Sequence, residues 1–194
     1  MAWRLVGLRP YDKGFDDPEP IFVGFDIEAP RGERVKARTT PDYQPQIVEV
    51  GLAILDSRDF AYHMSSMPEK LIRIHSYQVH GAGGGDDCND SICIPEVATT
   101  VRNVIETVDD KFGDGRLRNI VIVGHSPQGD LSMLENLGLN LDNSAMKYLV
   151  LDTHKLANKV LRKSDDWSLK GVMKQLGCSY DAKSFHKAHN DESQ

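Results

Sequence analysis

The chain has 194 residues, 40% of them hydrophobic, and its 23 basic and 29 acidic residues leave a formal net charge of −6. This length favours one compact domain over two full-sized ones, and the acidic balance argues against a uniformly basic nucleic-acid-binding surface. Three cysteines without framework spacing favour an intracellular protein, cytoplasmic or nuclear and not secreted. No apolar run approaches the roughly 20 residues that span a bilayer, so we expect no membrane partner.

The first half of the chain predicts an irregular segment followed by a meander of strands. Residues 1–20 are rich in proline, glycine and aspartate and predict an irregular N-terminal lead-in, with one folded domain over 21–194. Two long strands and one or two weaker ones are predicted from alternating or continuous apolar patterns, at 21–28, 47–56, 60–64 and 71–75. A polar stretch over 29–46 separates the first two strands.

In the second half, strands and helices alternate. A glycine- and aspartate-rich loop is predicted at 80–91, and Pro95 opens a helix that Gly113 and Gly115 end. Buried strands are predicted at 119–124 and 148–152. Three further helices are predicted to begin at Pro127, Thr153 and Ser168. A meander followed by alternating β and α segments predicts an α/β fold with a mixed sheet and helices packed on it.

Two carboxylates lie on the polar side of the first predicted strand. Asp26 and Glu28 are two residues apart, so their side chains project from the same face, roughly 6.6 Å apart along the chain. Two negative charges held together are costly unless a cation is bound or one of them is protonated. Acidic side chains at a strand end are also typical of simple exposure to water. The apolar opposite face and the central position of this strand weaken the interpretation as simple exposure, so both interpretations stay open for the pair taken alone.

Further candidate residues follow at two later points of the chain. Asp130 falls in the first turns of the helix after the strand 119–124, where a carboxylate can also simply face the positive end of the helix dipole. His186 and Asp191 can converge if His186 lies on the loop before a helix and Asp191 on the helix itself. A polar chain terminus without a function is the alternative interpretation of this second block.

Three blocks occur in a fixed order along the chain, namely Asp26-x-Glu28, Gly124-His125 with Asp130, and His186-x-Ala188-x-x-Asp191. Together they resemble the three exonuclease motifs of the DEDDh 3′→5′ exonucleases, a group of the ribonuclease H-like superfamily. The resemblance runs from about Ile21 to the end of the chain. It implies a ribonuclease H-like fold, a mixed five-stranded β-sheet flanked by α-helices. The Gly-His-Ser segment and the pair Asp152-Thr153 look more like the RNA-processing branch, closest to a fungal-type subgroup that includes exonucleases of small-RNA silencing.

The resemblance implies a two-metal site for phosphodiester hydrolysis. Its implied metal ligands are four carboxylates, Asp26, Glu28, Asp130 and Asp191. They would hold two Mg²⁺ or Mn²⁺ ions about 4 Å apart, with His186 as the general base that accepts a proton from the attacking water. The family releases 5′-mononucleotides from a 3′ end. We further expect substrate contacts from five residues, Ile27, Ala29, Arg31, Arg34 and His125.

Three features depart from the family pattern. The stretch 28–47 is longer than usual, and its arginines form either a substrate-binding arm or a solvated loop. Gly129 stands where RNA-branch members often place Asn, which should leave metal binding intact and alter contacts to the terminal nucleotide. Only three residues follow Asp191, so either the domain is truncated at its C-terminus or His186 and Asp191 are held more loosely than in relatives.

The sequence therefore predicts a metal-dependent 3′→5′ exonuclease that acts on single-stranded nucleic acid, RNA in preference to DNA, with two Mg²⁺ or Mn²⁺ ions as cofactors. A protein partner in an RNA-processing or silencing complex is a further expectation. The short C-terminus supports an alternative, a catalytically weak exonuclease-like module that binds RNA or protein. A two-metal hydrolase of small substrates is the third candidate.

Overall fold

A computed structural model describes residues 19–62, 71–80, 91–107, 110, 113–141, 148–161 and 167–178, with 60–62 described by their backbone alone. The strands are β1 (Ile21–Glu28), β2 (Glu49–Asp56), β3 (Ile72–His80), β4 (Ser91–Cys93), β5 (Ile120–Gly124) and β6 (Tyr148–Asp152). The helices are α1 (Glu33–Thr39), α2 (Ser57–Tyr62), α3 (Ile94–Ile105), α4 (Gln128–Asn136), α5 (Thr153–Val160) and α6 (Leu169–Gln175).

The six described strands form one mixed sheet in the order β4-β3-β2-β1-β5-β6. β1 lies between an antiparallel neighbour, β2, and a parallel neighbour, β5. In the register of β1 with β2, Asp26 lies opposite Gly51 and Glu28 opposite Glu49. The mixed sheet and the central position of the first strand are confirmed. The predicted five strands become six because the three-residue β4 pairs in parallel with the end of β3.

The core lies on the face of the sheet that carries the apolar side of β1. Ile21, Val23 and Ile27 are each at most 1% exposed, so alternate residues of the strand are buried as its sequence pattern predicts. Helices α3 and α4 cover this face, since Val23 lines one small void together with Val101 of α3 and Leu134 of α4. Every second side chain of β1 is therefore directed away from this core.

Several element boundaries differ from the sequence predictions. Residues 60–62, predicted in a strand, belong to α2, and the rest of that prediction lies outside the described residues. The strand predicted at 71–75 extends over 72–80, because β2 offers backbone partners as far as Gln78 and β4 offers them as far as His80. The helix near Pro95 ends at Ile105, well before the predicted glycine stop.

Two other predictions concern loops. The polar stretch 29–46 contains α1, a helix that was not predicted. Of the loop predicted at 80–91, His80 and Ser91 belong to strands, and 81–90 lie outside the described residues, as do 1–18 of the irregular N-terminal segment. Among the helices described, none combines the length and apolar character needed to cross a membrane.

Candidate active site

The carboxyl end of β1 presents the first two candidate carboxylates beside a buried neighbour. Ile27 is completely buried in the core, so Asp26 and Glu28 on either side of it project from the other face of the strand. The Asp26 side chain is 70% exposed. Asp130 lies in the first turn of α4, directly after β5, and its side chain is only 12% exposed. The structure thus brings an exposed and a buried carboxylate to neighbouring strand ends.

Arg34 of α1 links these two carboxylates. Its Nε donates to Asp130 Oδ1 at 2.6 Å, and its Nη2 lies 3.7 Å from Asp26 Oδ1. The same Nη2 donates to the backbone carbonyl of Ile27 at 2.5 Å. One guanidinium group therefore bridges β1 and α4 at the point where the sequence predicts metal ions.

The helix that carries Arg34 is held in place by its buried neighbour, Glu33. Glu33 is only 3% exposed, and its carboxylate accepts hydrogen bonds from the Tyr43 hydroxyl at 2.9 and 2.8 Å and from the Gln46 amide at 2.8 Å. Lys36 Nζ adds an ion pair at 2.8 Å. Because the carboxylate joins α1 to the segment that follows it, the start of the helix has a defined position. Glu33 therefore also determines where Arg34, the next residue of the helix, lies.

Gly129 provides the space that the Arg34 side chain occupies. A Cβ atom at residue 129 would lie 3.1 to 3.3 Å from the Cβ, Cδ and Cγ atoms of Arg34. Nearly any larger side chain would press on the stem of the arginine, since such distances are shorter than ordinary carbon–carbon contacts. The glycine at this position therefore allows the close approach of α1 to α4.

The protonation equilibria of the site reflect this arrangement. Burial raises the pKa of Asp130 above its usual value, the hydrogen bond and charge of Arg34 oppose that rise, and the charge of Asp26 adds to it. Burial disfavours the charged form of Arg34, but Asp130, Asp26 and Glu28 together outweigh it and raise the pKa of the guanidinium. Arg34 is accordingly a permanent positive charge between carboxylates.

The donor atoms of the pair suit a hard divalent cation. Carboxylate oxygens are the ligands that Mg²⁺ and Mn²⁺ prefer, and Asp26 and Asp130 already converge on one positive group. Across the part of the chain that the structure describes, no three His, Cys, Asp or Glu side chains come together as metal ligands. The described residues therefore fit part of the predicted ligand set, and Asp191 lies outside them.

His125 lies in a second polar cluster, at the carboxyl ends of β5 and β6. Its Nε2 donates to the Trp167 carbonyl at 2.7 Å, and its Nδ1 lies 3.2 Å from Thr153 Oγ1. Thr153 in turn donates to the Gly124 carbonyl at 3.0 Å. Both ring nitrogens are thus engaged within the protein. The ring fastens β5 to the start of α5 and to the segment before α6.

Asp152 completes this second cluster as the residue that caps α5. Its carboxylate accepts hydrogen bonds from the amides of His154 at 3.0 Å and Ser126 at 3.1 Å. Ser126 has a left-handed backbone, with φ of 60°, which a non-glycine residue rarely adopts. Although burial opposes it, hydrogen bonding from these amides and from Lys155 lowers the pKa of Asp152. The cluster therefore defines the turn that leads from β5 to the helix bearing Asp130.

The remaining predicted site residues are placed as follows. The Ile27 side chain is in the core, so only its backbone carbonyl faces the carboxylates. Ala29 is partly exposed and Arg31 is exposed on the turn before α1. His186 and Asp191 lie outside the described residues, and so does the predicted proton transfer that depends on them.

Sequence reasoning named Arg34 as a substrate contact and did not predict its ion pairs with carboxylates. It also missed Glu33 as the residue that positions α1. A local signal was present, because Glu33 lies in the first turn and Lys36 and Arg38 in the last turn of a helix that follows Gly32. Since few apolar residues mark its inner face, hydrophobic periodicity did not reveal the helix.

Comparisons with known proteins agree with this architecture. A family model described as the C-terminal domain of DNA polymerase III subunit epsilon-like proteins, DEDDh type, matches residues 86–193, more than half of the chain. The matched range contains Asp130, His186 and Asp191, whereas Asp26 and Glu28 precede it. Among curated proteins, a search finds no match to the sequence.

Solved structures of exonuclease I are similar to the chain in fold. Product-bound exonuclease I gives a TM-score of 0.50 at 10% identity, over 84% of this chain and 40% of that one. A zinc-bound complex of E. coli exonuclease I with single-stranded DNA gives 0.49 at 10% identity, over 83% and 36%. The chain thus spans less than half of the length of these proteins. The first similarity confirms the predicted ribonuclease H-like α/β fold.

Proposed function

The chain belongs to the DNA polymerase III subunit epsilon-like DEDDh family, and from that membership we propose that it is a metal-dependent 3′→5′ exonuclease of single-stranded nucleic acid. The observation that carries the proposal is the convergence of Asp26 and Asp130 on one cation at the end of the central strand. The Gly124-His125-Ser126 segment and Asp152-Thr153 support RNA as the preferred substrate and the RNA-processing branch, of fungal type, as the subgroup.

The proposed ligands are the carboxylates Asp26, Glu28, Asp130 and Asp191, for two Mg²⁺ or Mn²⁺ ions. Such ions, when bound, polarise water and stabilise the leaving 3′-oxygen. His186 accepts the proton of the water that attacks phosphorus, because an imidazole titrates near working pH. The bond from phosphorus to the 3′-oxygen breaks, and a 5′-mononucleotide leaves.

The surroundings of the carboxylates support roles in binding substrate. Arg31 is exposed before α1 and is proposed to contact a substrate phosphate, with Ala29 and the Ile27 backbone beside it. His125 is proposed to act by position, because its ring nitrogens hold the ends of β5 and β6. A protein partner from an RNA-processing or silencing complex stays a proposal of the same kind.

A second function is favoured by one specific observation. Arg34 places its own positive charge on Asp26 and Asp130, as a module that binds RNA or protein without efficient cleavage would. In such a module the carboxylates serve structure and not catalysis. The two functions differ in whether bound nucleic acid is shortened.

The test uses 5′-labelled single-stranded RNA and DNA with Mg²⁺, Mn²⁺ or EDTA. We expect a metal-dependent ladder of products shortened from the 3′ end, reduced at least about 100-fold in Asp26→Asn and His186→Ala. Asp42→Asn, which makes the same charge change in an exposed loop, is the matched control and should cleave like the wild type.

The other outcomes separate the alternatives. Intact substrate under every condition, with binding retained, would contradict the exonuclease and favour the binding module. Hydrolysis of small phosphate esters without cleavage of either oligonucleotide would favour a two-metal hydrolase of small substrates. Equal ladders in the wild type and Asp26→Asn would exclude the carboxylate site as the source of the activity.

A further inference from the structure

We infer that Arg34 is a built-in cation of the active site, which competes with divalent metal ions for Asp26 and Asp130 and must leave the pair before a metal ion binds. The inference rests on the proposed metal site and adds a residue that regulates its occupancy. It is carried by the position of one guanidinium group among two carboxylates and a carbonyl.

The contacts of Arg34 use the atoms that a metal ion would need. Its Nε lies 2.6 Å from Asp130 Oδ1, so this oxygen is already engaged with a positive charge. Asp130 is 12% exposed, and α4 fixes its backbone. A divalent ion at the same oxygen would be repelled by the guanidinium a few ångströms away. Arginine and metal ion therefore exclude one another at Asp130.

Asp26 shares the same cation more loosely. Its Oδ1 lies 3.7 Å from Arg34 Nη2, and its side chain is 70% exposed. An exposed ion pair at that distance contributes little by itself. The stronger ion pair of Arg34 is the one with Asp130. Asp26 can therefore exchange Arg34 for another cation at a small cost in free energy. Competition is accordingly decided at the Asp130 end of the pair.

Three features place Arg34 in this position. Glu33, the preceding residue, fastens the start of α1 through Tyr43 and the Gln46 amide. Asn136 of α4 donates to the Ala37 carbonyl at 3.0 Å, which joins the far end of α1 to α4. Gly129 leaves room for the stem of the arginine. The guanidinium is thus built into the site by residues on two helices.

A path out of the site exists, because the Arg34 side chain is 44% exposed. Rotation of its outer torsions would carry the guanidinium towards solvent without moving α1. The site then has two states, one closed by Arg34 and one open to metal. The apparent metal affinity is the intrinsic affinity reduced by the fraction of molecules in the open state.

The experiment measures Mn²⁺ binding without nucleic acid, by calorimetry and by the loss of the free-ion electron paramagnetic resonance signal. Arg34→Gln should bind Mn²⁺ about tenfold more tightly than the wild type, because the competing charge is gone. Arg38→Gln, an exposed residue of the same helix, controls for the change in net charge. Arg34→Lys keeps the charge without the planar guanidinium group. Its Mn²⁺ affinity should lie between those of the wild type and Arg34→Gln.

A thermal measurement guards against a variant that folds poorly. Without metal, Arg34→Gln should melt at a lower temperature than the wild type, since Asp130 loses its partner. Saturating Mn²⁺ should raise its melting temperature by more than that of the wild type. Asp26→Asn combined with Arg34→Gln should lose most of the gain in Mn²⁺ affinity.

The possible failures are distinguishable. Equal Mn²⁺ affinities for the wild type, Arg34→Gln and Arg38→Gln would overturn the role of Arg34 and leave the metal site intact. An equal gain in Mn²⁺ affinity in Arg34→Gln and Arg38→Gln would show that the effect comes from net charge alone. That result would also overturn the proposed role of Arg34. Absence of Mn²⁺ binding in every variant, including Arg34→Gln, would instead refute the proposed metal site itself.

Discussion

Glu33 shows how much one buried carboxylate organises near the site. It accepts hydrogen bonds from a tyrosine hydroxyl and a backbone amide and forms an ion pair with Lys36. The hydrogen bond from Lys36, followed by those from the Gln46 amide and Tyr43, lowers the pKa of Glu33 from 4.5 to about 2, against the effect of burial. The folded state therefore prefers the ionised form.

This preference predicts a pH-dependent effect of Glu33→Gln. Because the folded-state pKa lies below the unfolded one, the stabilisation by Glu33 is fully present above about pH 4.5 and is lost as pH falls towards about 2. We expect the difference in unfolding free energy between the wild type and Glu33→Gln to shrink over that interval, as measured by urea denaturation.

The partner lysine supplies the control. Lys36→Met removes the largest contribution to the lowered pKa, so the pKa of Glu33 in the folded state moves back towards 4.5. The loss of stability on acidification should then be smaller than in the wild type and should end at a higher pH. A difference between the wild type and Glu33→Gln that stays constant from about pH 7 to about pH 2.5 would contradict the assignment.

At the residue scale, the face of β1 that carries Asp26 could be predicted, and the contact of Arg34 with Asp26 and Asp130 could not. Alternation in β1 places Asp26 opposite the core because neighbouring residues alone set that pattern. The bond from Arg34 to Asp130 joins residues 96 positions apart. It exists because α1 packs on α4, and no local pattern encodes that contact.

Among the elements, three strand ends are joined by the buried guanidinium of Arg118. The side chain is 2% exposed, and it forms a bidentate ion pair with Asp56 at the end of β2, with Nη2 to Oδ1 at 2.6 Å. Its Nε donates to the Glu19 carbonyl at 2.9 Å, just before β1. Since Arg118 itself precedes β5, it fastens the end of the sheet opposite the carboxylate site.

Removal of this group should therefore weaken the whole sheet. Arg118→Met leaves Asp56 without its main partner in a largely buried place, and we expect a loss of about 3 kcal/mol in unfolding free energy. Arg116→Met, which removes an exposed pair with Asp114 two residues away, should cost less than about 0.5 kcal/mol. Chemical denaturation of both variants measures the contrast, and equal losses would refute the special role of Arg118.

Two elements show why predictions at this scale were incomplete. α1 has two buried residues, Glu33 and Ala37, so its inner face carries no apolar stripe. β4 has three residues and is a strand because it pairs with the end of β3. Both elements depend on what they pack against. The longer strands, by contrast, can be predicted from their own sequences, because β1 alternates between apolar and polar residues and β2 is apolar almost throughout.

For the whole molecule, the acidic net charge limits how nucleic acid can bind. Two divalent ions would change the formal charge from −6 to −6 + 4 = −2, which is still not basic. Affinity should then depend on the ions and a few arginines, with few released counterions. We expect log K against log salt to have a slope no steeper than about −2, equivalent to about three phosphates at 0.7 each.

The measurement is the fluorescence anisotropy of a labelled single-stranded oligonucleotide from about 0.05 to about 0.5 M NaCl. His186→Ala with Mg²⁺ is the suitable form of the protein, because without the proposed general base it should leave the oligonucleotide intact during the titration. The same titration in EDTA should show weaker binding. A slope steeper than about −5 would contradict the prediction and indicate an extended basic track.

The sequence by itself determined the α/β class, the central strand with its two carboxylates, and the helix that brings Asp130 to the end of β5. These follow from periodicity and from Pro and Gly signals, which act between near neighbours. The tertiary structure alone decided that α1 packs against α4, that Gly129 accommodates Arg34, and that a guanidinium lies between Asp26 and Asp130. Those outcomes depend on packing between segments that are far apart in the sequence. The position of the Arg34 charge is set by the packing of the helix that carries it.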